Sequence, residues 1–349
     1  MYFWYNESDS QNMQINGEEI IMNQEIIELA YHVGGLLYMP AVQEGIAKKI
    51  IHKAVPYLTS VAFCLEDSIL DSTLPEAECS VCRIFSELYA ARRKDFPLLF
   101  IRIRSAEHMC HIWEMLGESR EILTGFILPK FDSSNAENYL SALAGINKNS
   151  SHIIYVMPIL ESRAIADMST RQQELKYIYE KLMQFWPWIL NVRTGGNDFC
   201  NLYGLRRAEH ENIYQIGIIR DILADILNKF SGEFVVSAPV WEYFGQNTLS
   251  WVAGMQKELS LDKLNGFIGK TAIHPTQLPY IWESLKVSEE DYRDACRILN
   301  WNESQKAVQK GFGGSRMNEL KCHGKWARRI KILGDLYGVI PKGAISVAL

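Results

Sequence analysis

The chain has 349 residues, 48% apolar and 22% charged, which is the composition of an ordinary globular protein and not of a disordered or fibrous one. A net charge of −5 supplies no global positive field and argues against nucleic acid as a partner. No apolar run approaches the roughly 20 residues that cross a bilayer, the N-terminal MYFWYNESDS lacks a basic start before an apolar stretch, and seven scattered cysteines fit a reducing compartment, so the expected address is the cytosol and no membrane partner is expected.

Residues 1–32 read as a polar and then helical lead-in (EEIIMNQEIIELAYH) placed to cap the bottom of a barrel. Between residues 33 and 285, eight strand-like apolar runs alternate with amphipathic ones: Leu36 to Ala41, Ser60 to Asp67, Leu98 to Ser105, Gly125 to Lys130, Ile153 to Ser162, Trp188 to Asp198, Phe234 to Phe244 and Asn265 to Pro275. Helix-compatible stretches such as Val42 to Val55, Leu74 to Lys94, Arg171 to Phe185 and Glu209 to Phe230 lie between them, at a strand-to-strand spacing of about 30 residues, the length of a βα unit. This pattern predicts an α/β fold of the (β/α)8 TIM-barrel kind. A doubly wound sheet is the rival, but no G-x-G-x-x-G turn follows the first strand. Residues 286–349 turn helical, with a glycine-rich break at Gly311 to Gly314 and a basic helix from Lys321 to Tyr337, and read as a helical C-terminal extension.

In such a barrel the reactive groups sit at the C-terminal ends of the strands. The second run ends on Glu66-Asp67, the third on Arg102 and Arg104 two residues apart on one face, the fourth on Lys130, the fifth on Glu161, and the sixth passes Gly195-Gly196 to reach Asp198. Charges this close to a core must be paired or bound to a metal. Glu161 and Asp198 each stand alone at a strand end, where each can offer one oxygen to an octahedral magnesium that keeps waters and substrate oxygens. Glu66 and Asp67 then hold those waters or orient arginines. Arg102 has the geometry to fork a carboxylate, and Arg104 and Arg193 either join it or neutralise Glu66 and Asp67. Lys130 and the amides of Gly196 and Asn197 complete the expected substrate-binding set. His108 and His111, three apart on a helix, read as a solvated face, His274 either lines the mouth or caps its loop, and Cys79-Ser-Val-Cys82 reads as a plain helix segment. Hydrolase, zincin and P-loop motifs are missing from the sequence.

The ordered set YMPA, AFCLEDS, FIRIRS, GFILPK, PILES, GGNDF and GFIGKTAIHPTQL resembles the citrate lyase β-subunit-like lyases of the HpcH/HpaI aldolase superfamily, and within it the divergent branch of TIM-barrel carbon–carbon bond lyases. Each motif is weak alone; their order from Leu36 to Gln277 carries the likeness. The resemblance implies a magnesium-dependent lyase that cleaves or forms a bond beside a 2-oxo acid, often with a coenzyme A thioester as the other fragment, in a trimeric or hexameric homo-oligomer. By position Glu161 and Asp198 match the family's metal ligands, Arg102 its substrate-binding arginine, and Glu66 and Asp67 its paired acids. The chain departs from the family where Gly34-Gly35 replaces an Arg-Ser pair, where Arg104 replaces an asparagine, and where Glu319 stands near an aspartate that reaches a neighbouring subunit's site, which makes Glu319 the expected proton-transfer residue. Two other readings remain open at this level: a thioester hydrolase using the same metal site, and a barrel without catalysis that serves as a binding or regulatory subunit.

Overall fold

The computed structural model describes residues 13–15, 18–20, 24–245, 250–301 and 308–343. They fall into two compact units, one up to Leu278 and one from Pro279 onward.

The first unit is built on eight parallel strands: β1 (Gly35–Pro40), β2 (Ser60–Cys64), β3 (Leu98–Arg102), β4 (Gly125–Leu128), β5 (Tyr155–Leu160), β6 (Val192–Thr194), β7 (Val236–Ser237) and β8 (Lys270–Ala272). Each pairs with the next in sequence, β8 pairs back onto β1, and a single bridge between Ala238 and Lys270 joins β7 to β8, so the sheet closes on itself. Helices follow the strands, and this is the (β/α)8 barrel that the spacing predicts. Its strands are apolar on both faces because the inner face packs into the barrel and the outer one under helices. Leu36, Ala62, Phe100, Ile127, Met157 and Ile159 form one buried cluster with Ala30 and Val33 from the lead-in. Each of its larger side chains, alanines apart, contributes roughly 1.5–3 kcal/mol when fully buried.

The lead-in helix is Gln24–His32, shorter than its sequence pattern suggested, since Met13–Ile15 and Glu18–Ile20 pair instead as a small antiparallel hairpin. The helix end plugs the N-terminal mouth of the barrel. Thr59 and Ser60 donate to the Val33 carbonyl, and Asn191 donates to the Ala30 carbonyl. At the opposite end, strand register lines up the residues that matter. Arg102 lies across from Cys64 and Ile127, and Leu160 lies across from Thr194, so the next residues, Glu161 and Gly195, leave the sheet side by side.

Several elements are shorter than the apolar runs suggested. The sixth run opens on a 3-10 turn at Trp186–Trp188, keeps a single bridge from Ile189 to Val156 and a regular strand over Val192–Thr194, and has Asp198 already inside the helix Gly196–Leu202. The seventh keeps a two-residue strand and one bridge at Ala238 before Pro239, and proline has no N–H to extend the ladder. The helix expected from Glu209 begins at Gly217, preceded by a 3-10 turn at Ile213–Gln215 that Asn212 and Gln215 cap reciprocally. The segment around Cys79 and Cys82 is helix, within Leu74–Ala90.

The second unit is mainly helical, as expected. Helices Glu289–Leu299 and Leu320–Tyr337 pack on one another, and a hairpin of Val308–Lys310 with Met317–Glu319 carries the glycine-rich turn. Buried Asp294 holds that turn by accepting from the Phe312 N–H and from Arg316 Nε. Among the described residues of either unit, no helix is long and apolar enough to cross a membrane.

Candidate functional site

Six of the expected residues meet at the C-terminal end of the barrel. Arg102, at the end of β3, faces inward because Phe100, two residues earlier, lies in the barrel cluster. Its Nη2 reaches Glu66 Oε2 at 2.8 Å, Asp67 Oδ2 at 3.0 Å and Glu161 Oε1 at 3.4 Å, while its buried Nε makes no hydrogen bond among the described residues. Lys130 crosses the mouth from the end of β4, placing Nζ 2.8 Å from Glu66 Oε1 and 3.3 Å from Asp67 Oδ1. Lys130 takes a left-handed backbone, φ 48°, which is uncommon for a side-chain-bearing residue. In that conformation its own N–H donates to Glu161 Oε1 at 3.0 Å.

Glu161 is 5% exposed, and its second oxygen lies against Gly195. A Cβ built on Gly195 would come within 2.3 Å of both Glu161 Cβ and Oε2, and one on Gly196 within 2.6 Å of Ile213 Cδ1 and 2.7 Å of Pro239 Cβ. The two glycines therefore let the turn after β6 close down on Glu161 and bring Asp198, in the first turn of the following helix, into side-chain hydrogen-bond contact with it. Burial above all, with the neighbouring Asp198 carboxylate, pushes the Glu161 carboxyl up to about 8 against the opposing pull of Arg102. Burial and the adjoining carboxylate together disfavour the ionised form of Glu161. Gly196 and Asn197 open the helix, so their N–H groups are among those that helix geometry leaves without an intrahelical acceptor.

Of the Glu66–Asp67 pair, Glu66 holds its proton more readily. Burial raises it first, against Arg102 and Lys130, whereas in Asp67 the effect of burial is overcome by Arg102, Glu66 and Lys130, leaving a lowered pKa. Taken together, Glu66, Asp67, Glu161 and Asp198 stand against Arg102 and Lys130, the cations that touch them. The surplus is two negative charges when all the acids are ionised. An all-oxygen carboxylate pair with that surplus suits a hard divalent cation that keeps waters of its own.

Arg104 is placed elsewhere. Its guanidinium donates to the carbonyls of Leu65 at 2.7 Å and Ile69 at 2.6 Å and pairs with Asp71, so it ties down the loop that carries Glu66 and Asp67. Arg193 does not neutralise those acids either; it lies inside the barrel, 1% exposed, with Nη2 2.7 Å from Thr271 Oγ1. Glu319 belongs to the second unit, where its N–H donates to His323 Nδ1 at 2.9 Å. His274 caps its loop by accepting from the Thr276 N–H and stacks on Phe244. His108 corrects the expectation of a solvated helix face, since its side chain is 9% exposed and Nε2 lies 3.0 Å from Glu78. Next to it, His111 is open to solvent at 57%.

Sequence reasoning passed over Tyr38, whose ring lies 5.8 Å from the Arg102 guanidinium carbon. The available signal was period-two alternation from the apolar Leu36. It also passed over a buried ion cluster outside the barrel wall. There Lys270 Nζ contacts Glu258 at 2.8 Å and Asp262 at 2.9 Å, Arg207 Nε contacts Glu258 at 3.3 Å, and Tyr214 donates to Asp262 at 2.6 Å. Glu258 also accepts from the Ile213 N–H at 2.8 Å, which links the cluster to the turn packed on Gly196.

The sequence profile of the family described as carbon–carbon bond lyase of the TIM-barrel fold matches residues 27–339. Among solved structures, a citrate lyase from Burkholderia xenovorans LB400 superposes with a TM-score of 0.67 at 12% identity, over 89% of this chain and 94% of that one. CitE from Mycobacterium tuberculosis, in complex with magnesium, acetoacetate and coenzyme A, gives 0.55 at 19% identity, over 86% of this chain and 98% of that one. At such identities the likeness establishes the fold. No curated protein matches the chain.

Proposed function

The chain belongs to the carbon–carbon bond lyases of the TIM-barrel fold, and from that premise we propose that it is a magnesium-dependent lyase acting beside a 2-oxo acid, with Glu161 and Asp198 as the metal ligands. The observation that carries this reading is the meeting of those two carboxylates, from the ends of different strands, in a glycine-lined cradle that a single added Cβ would fill. Support for the choice of ion comes from the oxygen-only donor set and from the M. tuberculosis CitE, which is described with magnesium.

Magnesium held there supplies Lewis-acid polarisation of the substrate's carbonyl. The remaining work falls to side chains of this chain. In this reading Arg102 offers Nε to the substrate carboxylate, and Lys130 and the Gly196 and Asn197 amides are the further substrate contacts. Glu66, whose carboxyl is raised by burial, accepts and returns the proton that moves when the carbon–carbon bond breaks, and Asp67 stays ionised to keep Lys130 and Arg102 in place. Glu319, in the second unit, is the other proton-transfer residue of this reading, acting from a neighbouring subunit of a trimer or hexamer. A coenzyme A thioester as the second fragment is part of the proposal, since the M. tuberculosis CitE is described with that carrier. Gly34 takes a left-handed backbone, φ 55°, just before β1, a conformation that disfavours a side-chain-bearing residue there, so any thioester handle is gripped by residues other than position 34.

Asp198→Ala tests the assignment. The variant is expected to keep the thermal transition of the wild type and to lose magnesium binding by calorimetry, together with release of a 2-oxo acid from substrate. Wild-type magnesium affinity in that variant would remove Asp198 from the site.

A further inference from the structure

Arg193 is a buried cation that the site described above does not use and, unlike Lys270 and Arg207, has no acid beside it among the described residues. It is 1% exposed, and among the described residues no carboxylate lies within ion-pair reach of it. Nη2 contacts Thr271 Oγ1 at 2.7 Å and the Tyr38 phenol stands alongside, whereas Nε and Nη1 make no hydrogen bond among the described residues. An arginine cannot escape this situation by losing its proton, so burying it without a counter-charge costs several kcal/mol. Barrel interiors rarely keep such a group for stability, because an apolar side chain of similar volume packs at lower cost.

Its placement indicates what it is for. Arg193, on β6, follows Asn191 by two residues in extended chain, and Asn191 bonds inside the barrel, so Arg193 also points inward. Thr271 points inward as well, because Lys270 before it points out to Glu258 and Asp262. Tyr38 follows the buried Leu36 by two residues on the adjacent strand. Inward-facing Tyr38 and Thr271 nevertheless keep part of their surface open to solvent, and Arg193, in contact with both, is buried. The group occupies the wall made by β6, β8 and β1, whereas Glu66, Arg102 and Lys130 hang from β2, β3 and β4. The cations on that second wall are already matched by acids; Arg193 is not.

We propose that Arg193, with Tyr38 and Thr271, is a second anion subsite that receives a distal carboxylate of the substrate and makes the protein selective for a dicarboxylic over a monocarboxylic 2-oxo acid. This rests on the reading that the 2-oxo acid end is held at Glu161 and Asp198. Binding leaves every covalent bond intact: the distal carboxylate accepts from Nε and Nη1 of Arg193 and from the Tyr38 hydroxyl.

The test is calorimetry of oxaloacetate and of pyruvate in saturating magnesium, on the wild type and on Arg193→Gln. The wild type is expected to bind oxaloacetate more tightly. Arg193→Gln is expected to lose roughly 10- to 100-fold for oxaloacetate, the scale of hydrogen bonds to a charged group, while pyruvate and magnesium affinities stay within about twofold. Tyr38→Phe gives the same selective loss at smaller size and covers the case in which the arginine variant does not fold. Equal affinity of the wild type for both acids, or an equal loss for both in the variants, overturns the subsite and leaves the metal reading intact. If neither acid binds to the wild type in a magnesium-dependent way, the metal reading fails and the subsite falls with it. A purely structural Arg193 would show as a lowered thermal transition with unchanged preference between the acids.

Discussion

Replacing Gly195 with alanine adds one methyl group where Glu161 already stands. The backbone there has φ −97° and ψ 79°, on the side of the map open to any residue, so the substitution carries no left-handed penalty and acts through contact alone. The new Cβ would lie 2.3 Å from Glu161 Cβ and from Oε2, about 1.1 Å short of the 3.4 Å at which ordinary contact begins. Rotating the carboxylate relieves the second clash and not the first, because Glu161 Cβ is fixed to the end of β5. The turn or the strand end must therefore move by most of an ångström. Metal–ligand distances tolerate about 0.2 Å, and magnesium insists on near-octahedral geometry, so a shift of this size removes one of the two protein ligands. The expected result is a fall of at least 10- to 100-fold in magnesium affinity by calorimetry, with an overpacking cost of about 1–3 kcal/mol in urea unfolding of the metal-free protein. Gly145→Ala is the control, since nothing lies within 4 Å of a Cβ at that exposed helical position, and it should be neutral or stabilising by up to ~1 kcal/mol. Wild-type magnesium affinity in Gly195→Ala would refute the argument that the glycine exists to let Glu161 and Asp198 meet.

The pH dependence follows from Glu161. Its carboxyl titrates near 8 in the folded chain, chiefly through burial, against an ordinary value near 4.5. A raised folded pKa favours folding at low pH, and that contribution is lost as pH climbs toward 8. The thermal transition measured in chelator should therefore fall between about pH 5 and 8, Glu161→Gln should flatten that slope, and magnesium affinity of the wild type should rise over the same window because binding expels the proton. A slope unchanged by Glu161→Gln would count against a raised Glu161 carboxyl. Lys270→Met leaves Asp262 buried with Tyr214 as its remaining partner and Glu258 with Arg207, and should cost about 3–5 kcal/mol in urea unfolding, the scale of breaking a buried ion pair. A loss below about 1 kcal/mol would show that the cluster does not hold β8 to the helix Ser250–Asn265.

Long periodic features were legible from residues alone. Eight apolar runs at βα spacing gave the barrel, because a strand covered on both faces must be apolar throughout, and the acids and bases that end those runs were readable as a rim because charge at the edge of a core needs a reason to be there. Glu66, Asp67, Arg102, Lys130, Glu161 and Asp198 were all visible in that way. The sequence could not show which of them touch. Arg102 and Arg104 share a strand face in alternation, yet one reaches the acids while the other turns back onto the loop carbonyls, and the choice depends on where the backbone leaves the sheet. Arg193 looked like another rim charge and lies inside, because β6 is only Val192–Thr194 and its position along the barrel axis is set by pairing with β5 and β7. The cluster of Lys270, Glu258, Asp262 and Arg207 was invisible for a related reason: its charges cancel one another across elements far apart in the chain, and single-sequence patterns register burial by hydrophobicity, not by neutralised charge. Local chemistry thus determined the strands and the acids at their ends. Tertiary packing, which fixes register and the approach of one backbone to another, decided that Glu161 and Asp198 meet and that Arg193 is left without a counter-charge.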